Sequence, residues 1–139
     1  MSVLRQVLLL CLLALIPAVA TGLFHPKRPS WQADALKPGE VLLSIVMGWK
    51  EKVLWVDARS QKAYDQEHIP GAVLLNEDAW DDLLGGVLQR WVPGQTVIVY
   101  CDDRQCRSSH GVARRLREAG VEPVYVLKGG WSTWQSAKK

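Results

Sequence analysis

Cys101 closes a β-branched run, Val97-Ile98-Val99-Tyr100. It is followed by Asp102-Asp103-Arg104-Gln105-Cys106-Arg107-Ser108 before a helical pattern begins. A thiol at the carboxyl end of a buried strand faces the N-terminus of the next helix. There, backbone N–H groups and the helix dipole favour an anion. Such a place favours thiolate over thiol and receives anionic substrates. The chemistry it points to is nucleophilic: Cys101 attacks, while Arg104 and Arg107 supply positive potential and hold the charged end of a substrate. Cys106 is a second thiol. It can attack an oxidised or persulfidated Cys101 and close a disulfide, or serve as the working nucleophile itself. A lone Cys at a strand end is more often a small core residue. Two arginines, a second thiol and a capping serine within the next eight residues favour the functional reading.

The elements around this loop must position it. Val97–Val99, bounded by Pro93-Gly94, reads as a buried strand. Ser108 or Ser109 is the expected cap of a helix through Val112–Ala119, stopped by Gly120. Val53–Val56 reads as another strand, with Asp57-Ala58-Arg59 at its carboxyl end. Ser60 caps a short helix, Gln61–Gln66, with Tyr64 on its inner side. His68-Ile69-Pro70-Gly71 is a turn, His68 serving as a hydrogen-bonding structural residue, and Ala72–Leu75 is a strand. Asn76 or the acids after it start a helix over Glu77–Leu84, which Gly85-Gly86 interrupts or kinks. Val124–Leu127 is the last strand, and Lys128-Gly129-Gly130 turns into a helix from Trp131 to Ser136. Glu40 to Trp49 mixes a short strand with a short helical segment.

Buried strands alternating with short helices predict an α/β fold with a mostly parallel sheet covered on both faces. In such sheets ligands bind beyond the carboxyl ends of the strands. Asp57, Arg59, Cys101 and Gly129 all fall there. Asp57 and Arg59 read as supporting residues that pair with each other or with the loop backbone.

With 139 residues, the chain holds one domain plus an extra segment. A net charge of +3 is too mild and scattered for nucleic acid. Arg114, Arg115 and Arg117 are more simply a solvated face than a binding patch. Three cysteines, one in the N-terminal apolar run, make no disulfide framework. No His or Cys has partners at metal-ligand spacing, so neither metal nor cofactor is expected.

The run Val7–Phe24 holds 18 uncharged residues. As a helix it covers about 27 Å, close to the thickness of a bilayer core. Ala18-Val19-Ala20 has the form of a signal-cleavage site. The run continues apolar past it, and Lys27-Arg28 suit the end of a membrane helix. A single-pass anchor is therefore favoured over an exported, cleaved form. The expected organisation is an anchor or signal segment over 1–24, a proline-containing linker over 25–38, and the domain over 39–139.

Several segments together resemble the rhodanese-like domain family. They are Val53-Leu54-Trp55-Val56-Asp57-Ala58-Arg59; Tyr64 with His68-Ile69-Pro70-Gly71-Ala72; Val97–Cys101; Ser109, Ala113, Leu116 and Ala119-Gly120; and Val126-Leu127-Lys128-Gly129-Gly130-Trp131. The resemblance spans roughly residues 40 to 137. It implies a parallel sheet of about five strands. It also implies a sulfurtransferase in which Cys101 takes sulfane sulfur from thiosulfate or a persulfide donor and passes it to a thiol or cyanide. The anion nest would be formed by the loop over Asp102, Asp103, Arg104, Gln105, Cys106, Arg107 and Ser108.

The loop departs from the family's frequent Cys-x-x-Gly-x-Arg-Ser form. It is two residues longer, lacks the glycine, and places Asp102 and Asp103 beside the thiol. Pointed inward, those carboxylates would raise the thiol pKa and repel an anion. Two further readings follow: a binding or redox-sensing module using a Cys101/Cys106 pair without turnover, and a phosphatase or arsenate reductase built on the Cys-x5-Arg spacing of Cys101 and Arg107.

Overall fold

The computed structural model describes residues 3–24, 35–102 and 107–138, with side chains of the first helix described as far as Leu15. Asp103, Arg104, Gln105 and Cys106 lie outside the described residues, as do residues 25–34 of the expected linker. The chain divides into two compact units, Met1–Ala35 and Leu36–Lys139.

The first unit contains α1, Val3–Phe24, a 22-residue helix. Its described large apolar side chains, such as Leu8, Leu10 and Leu13, are exposed. Among the described residues, no helix is long and apolar enough to cross a membrane.

The second unit is a five-stranded, wholly parallel sheet in the order β1-β5-β4-β2-β3. The strands are β1 Glu40–Val41, β2 Leu54–Asp57, β3 Val73–Leu74, β4 Val97–Tyr100 and β5 Val124–Leu127. Between them run α2 Leu43–Met47, α3 Gln61–Gln66, α4 Trp80–Arg90 and α5 Arg107–Glu118, with α6 Gly130–Ala137 last. β4 is central and every one of its side chains is buried. Its continuous apolar run reflects cover on both faces. Alternation splits the core in two. Val97, Val99 and Cys101 pack with Val87 of α4 and Val112, Ala113 and Leu116 of α5. Ile98 and Tyr100 pack on the other face with Val46 of α2, Ile69 and Trp131 of α6.

Two expectations are corrected. Gly85-Gly86 does not interrupt α4, which runs through to Arg90. Trp80 and Val87 anchor the helix in the core, and Asp81 and Asp82 in its first turn with Arg90 in its last complement the dipole. That packing offsets the roughly 1 kcal/mol each glycine costs a helix. Likewise α5 begins at Arg107, so Ser108 and Ser109 lie inside its first turn and are not its cap. Ser60 does cap α3, accepting the N–H of Ala63 at 3.3 Å.

Candidate active site at the carboxyl edge of the sheet

Cys101 follows directly on β4 and is buried, at 2% exposure. Because residues alternate along β4, its side chain shares the face of Val97 and Val99, against α5. The buried stripe of α5 is Ser109, Val112, Ala113 and Leu116. This 3.6-residue pattern carries Ser109 to the thiol, and its hydroxyl donates to Cys101 Sγ at 3.3 Å. The Cys101 carbonyl oxygen accepts the N–H of Trp131, at the start of α6, at 2.7 Å. Gly130 makes that approach possible. It sits at φ +50, and a Cβ there would collide with the Cys101 carbonyl oxygen.

On the other face, around Tyr100 and Trp131, lies a buried polar network. Asp57 is fully buried and receives Arg59 Nη2 at 2.7 Å and Nε at 2.9 Å. The Tyr100 hydroxyl donates to Asp57 Oδ2 at 2.7 Å and accepts the Ile69 N–H at 3.1 Å. Arg59 also donates to the Glu67 carbonyl, and its guanidinium lies 4.4 Å from the centre of the Trp131 ring. Burial works against the charged guanidinium. The hydrogen bonds and charge of Asp57, followed by Asp102, override it and hold Arg59 above the ordinary arginine value. Burial, aided by Asp57, pushes the Tyr100 phenol upward, so it stays a neutral donor. His68 has a structural part, its Nδ1 donating to the Tyr64 carbonyl while its ring stacks on Tyr64.

Asp102 is 63% exposed at its side chain and pairs with Arg59 Nη1 at 3.3 Å. Its carboxylate is thus turned to a buried cation and not inward toward the thiol. Arg107 and Ser108 are exposed on the first turn of α5. Among the described residues, no cluster of His, Cys, Asp or Glu could hold a metal ion.

The rhodanese-like domain model matches residues 45–137. The chain belongs to the rhodanese-like domain family. One relative, the thiosulfate sulfurtransferase GlpE of Coxiella burnetii, is 32% identical over 87 residues, covering 63% of this chain and 76% of the relative. Among solved structures, BH2092 from Bacillus halodurans superposes with a TM-score of 0.57 at 23% identity, over 71% of this chain and 72% of that one. A rhodanese-like domain protein from Staphylococcus aureus gives 0.53 at 21%, over 68% and 89%. At that identity these structures speak for the fold alone.

In this rhodanese-like domain Asp57, Arg59 and Cys101 are expected at one sheet edge; the structure pairs Asp57 with Arg59 and ties them to Tyr100 and Asp102, the residues flanking Cys101. The sequence reading missed Ser109, read as a cap, and the parts played by Tyr100 and Trp131. The helical stripe 109, 112, 113, 116 was the available signal for Ser109, since it marks that serine as facing the core.

Proposed function

We propose that this domain is a sulfurtransferase that carries sulfane sulfur as a persulfide on Cys101. The observation that carries the reading is the placement of Cys101 at the end of the central strand, with Ser109 donating to its sulfur. The relative named a thiosulfate sulfurtransferase adds to it. In the loading step the Cys101 thiolate attacks the outer sulfur of thiosulfate. A Cys–S–S bond forms, the S–S bond of thiosulfate breaks, and sulfite leaves with the electron pair. In the second step a thiolate acceptor attacks the terminal sulfur, and Cys101 leaves as thiolate. Hydrogen bonds that stabilise the thiolate help both departures. Asp57 and Arg59 support the reading by holding Tyr100 and Asp102, on either side of Cys101. Asp102 through Ser108 shape the approach of the anion.

We further propose that residues 7–24 anchor the chain in a membrane as a single span. The uncharged length of that run and the basic pair Lys27-Arg28 support this.

The test is intact mass spectrometry with peptide mapping after exposure to thiosulfate. A gain of about 32 Da on Cys101, absent in Cys101→Ser, is expected for a persulfide. No gain with any sulfur donor, and a loss of about 2 Da linking Cys101 to Cys106 under mild oxidant, would replace this reading with a redox module.

A further inference from the structure

Along the outer face of α5 runs a groove of about 680 Å³ with a strongly basic lining. Arg107, His110, Arg114 and Arg117 recur at three- and four-residue spacing, so they form one helical stripe. This stripe lies beside the buried one that carries Ser109. Lys37, just ahead of β1, closes the far side of the groove. Four side chains of fixed positive charge thus meet one carboxylate in the lining, that of Glu77. The sequence read the α5 arginines as a solvated face. Lys37 is 70 residues from Arg107, and only the fold brings them together.

The cations differ in how far they are already engaged. Arg117 donates to the Val124 carbonyl at 2.7 Å, and His110 shares Glu40 with Lys128. Arg114 is 71% exposed and faces Glu118 only at 3.8 Å across solvent, an ion pair of little strength. Glu77 lies against α5 at Gly111, where a Cβ would collide with its carboxylate. The missing side chain at Gly111 lets an internal anion rest in the groove. The volume suits a small molecule. The groove starts at Arg107, two residues before the serine that contacts Cys101 Sγ.

We infer that this groove is the acceptor subsite, and that it takes a small thiol bearing two or more carboxylate or phosphate groups. The inference rests on the sulfurtransferase reading above. The anionic groups bind Arg114, Lys37 and Arg107 in the groove that Glu77 also lines, and the thiolate is directed past Arg107 toward the persulfide. The acceptor sulfur then bonds to the terminal sulfur of Cys101–S–SH. The S–S bond to Cys101 breaks, Cys101 leaves as thiolate, and the acceptor leaves as its own persulfide.

The experiment uses the full chain in detergent, loaded with thiosulfate, with loss of the added sulfur from Cys101 followed by mass. Mercaptosuccinate, with two carboxylates, is compared with 2-mercaptoethanol, which has none. For mercaptosuccinate, Arg114→Glu is expected to raise the half-saturating concentration about tenfold with little change in limiting rate, as loss of about 1.4 kcal/mol of binding requires. Glu77→Gln is expected to lower it about threefold. Neither variant should move the 2-mercaptoethanol rate. Equal effects on both thiols, or no effect on either, would overturn the subsite. Failure to load Cys101 at all would sink the sulfurtransferase reading instead. The groove is then judged by titrating the unloaded chain with tricarballylate, a tricarboxylate without a thiol. Binding that Arg114→Glu weakens and Glu77→Gln strengthens supports an anion site, and its absence overturns one.

Discussion

The hydroxyl of Ser109 donates to the sulfur of Cys101 at 3.3 Å, and both residues are buried. A donor aimed at sulfur stabilises thiolate more than thiol. A hydrogen bond to a charged group contributes about 1.5–3 kcal/mol. Ser109→Ala should therefore slow iodoacetamide labelling of Cys101 at neutral pH about tenfold or more, while the fold persists because the change is small and apolar. Peptide mapping separates Cys101 from the other thiols. An unchanged rate would show that the serine does not act on the sulfur.

Arg59 and Asp57 form a buried ion pair that holds Tyr100 and Asp102. Their side chains are 4% and 0% exposed. Removing one charge strands the other in the core, which costs about 3–5 kcal/mol. Asp57→Asn also weakens the Tyr100 hydrogen bond. The variant should lose about 3 kcal/mol or more in urea unfolding, and its Tm should fall by about 10 °C or more for a domain of this size. Asp102→Asn makes the contrast. Its carboxylate is mostly exposed, so it should change stability by less than about 1 kcal/mol.

The fold was legible because its strands announce themselves. The runs at 97–100 and 124–127 are apolar throughout, as strands covered on both faces must be. β1 and β3 pair over only two residues each and carry too few side chains for a periodic signal. The glycine pair in α4 misled because local propensity opposed packing that a sequence does not display. The site was half legible. Asp57, Arg59 and Cys101 sit at strand ends, where chain order predicts convergence. Lys37, Glu77 and the α5 arginines meet across the fold through tertiary packing, which no local spacing records.

Glu40 links pH to stability. Burial disfavours its ionised form. The Lys37 N–H at 2.9 Å, the His110 ring at 3.2 Å and the Lys128 ammonium at 3.6 Å outweigh that and hold the carboxyl below its ordinary 4.5. A group whose folded pKa is depressed adds stability above its unfolded pKa, and that stability is lost as pH falls through the folded pKa. The stability difference between the wild type and Glu40→Gln should thus be greatest above the unfolded pKa. It should shrink as pH is lowered below about 4.5. Urea midpoints measured from pH 7 down to pH 3 check this. A difference that grows toward acid would reverse the sign and refute the assignment.

Gly130 offers the sharpest separation of structure from chemistry. It lies at φ +50, and a Cβ there meets the Cys101 carbonyl oxygen, with the carbonyl carbon at 3.0 Å. That same oxygen accepts the Trp131 N–H at 2.7 Å, so the start of α6 is fastened to the residue bearing the thiol. Backbone cannot yield as a flexible side chain does. Gly130→Ala must therefore push Cys101 away or unseat α6, besides straining a left-handed residue by about 1 kcal/mol. Trp131 would move with α6, and with it the ring that Arg59 covers at 4.4 Å. The expected result is a domain destabilised by about 2 kcal/mol or more, with Cys101 labelling and sulfur loading both altered. Gly71→Ala is the control. It shares a positive φ, +81, but has nothing within 4 Å of its Cβ. It should carry only the backbone strain and leave Cys101 reactivity unchanged. Equal effects of the two substitutions on labelling would show that the contact between Gly130 and Cys101 does not position the thiol.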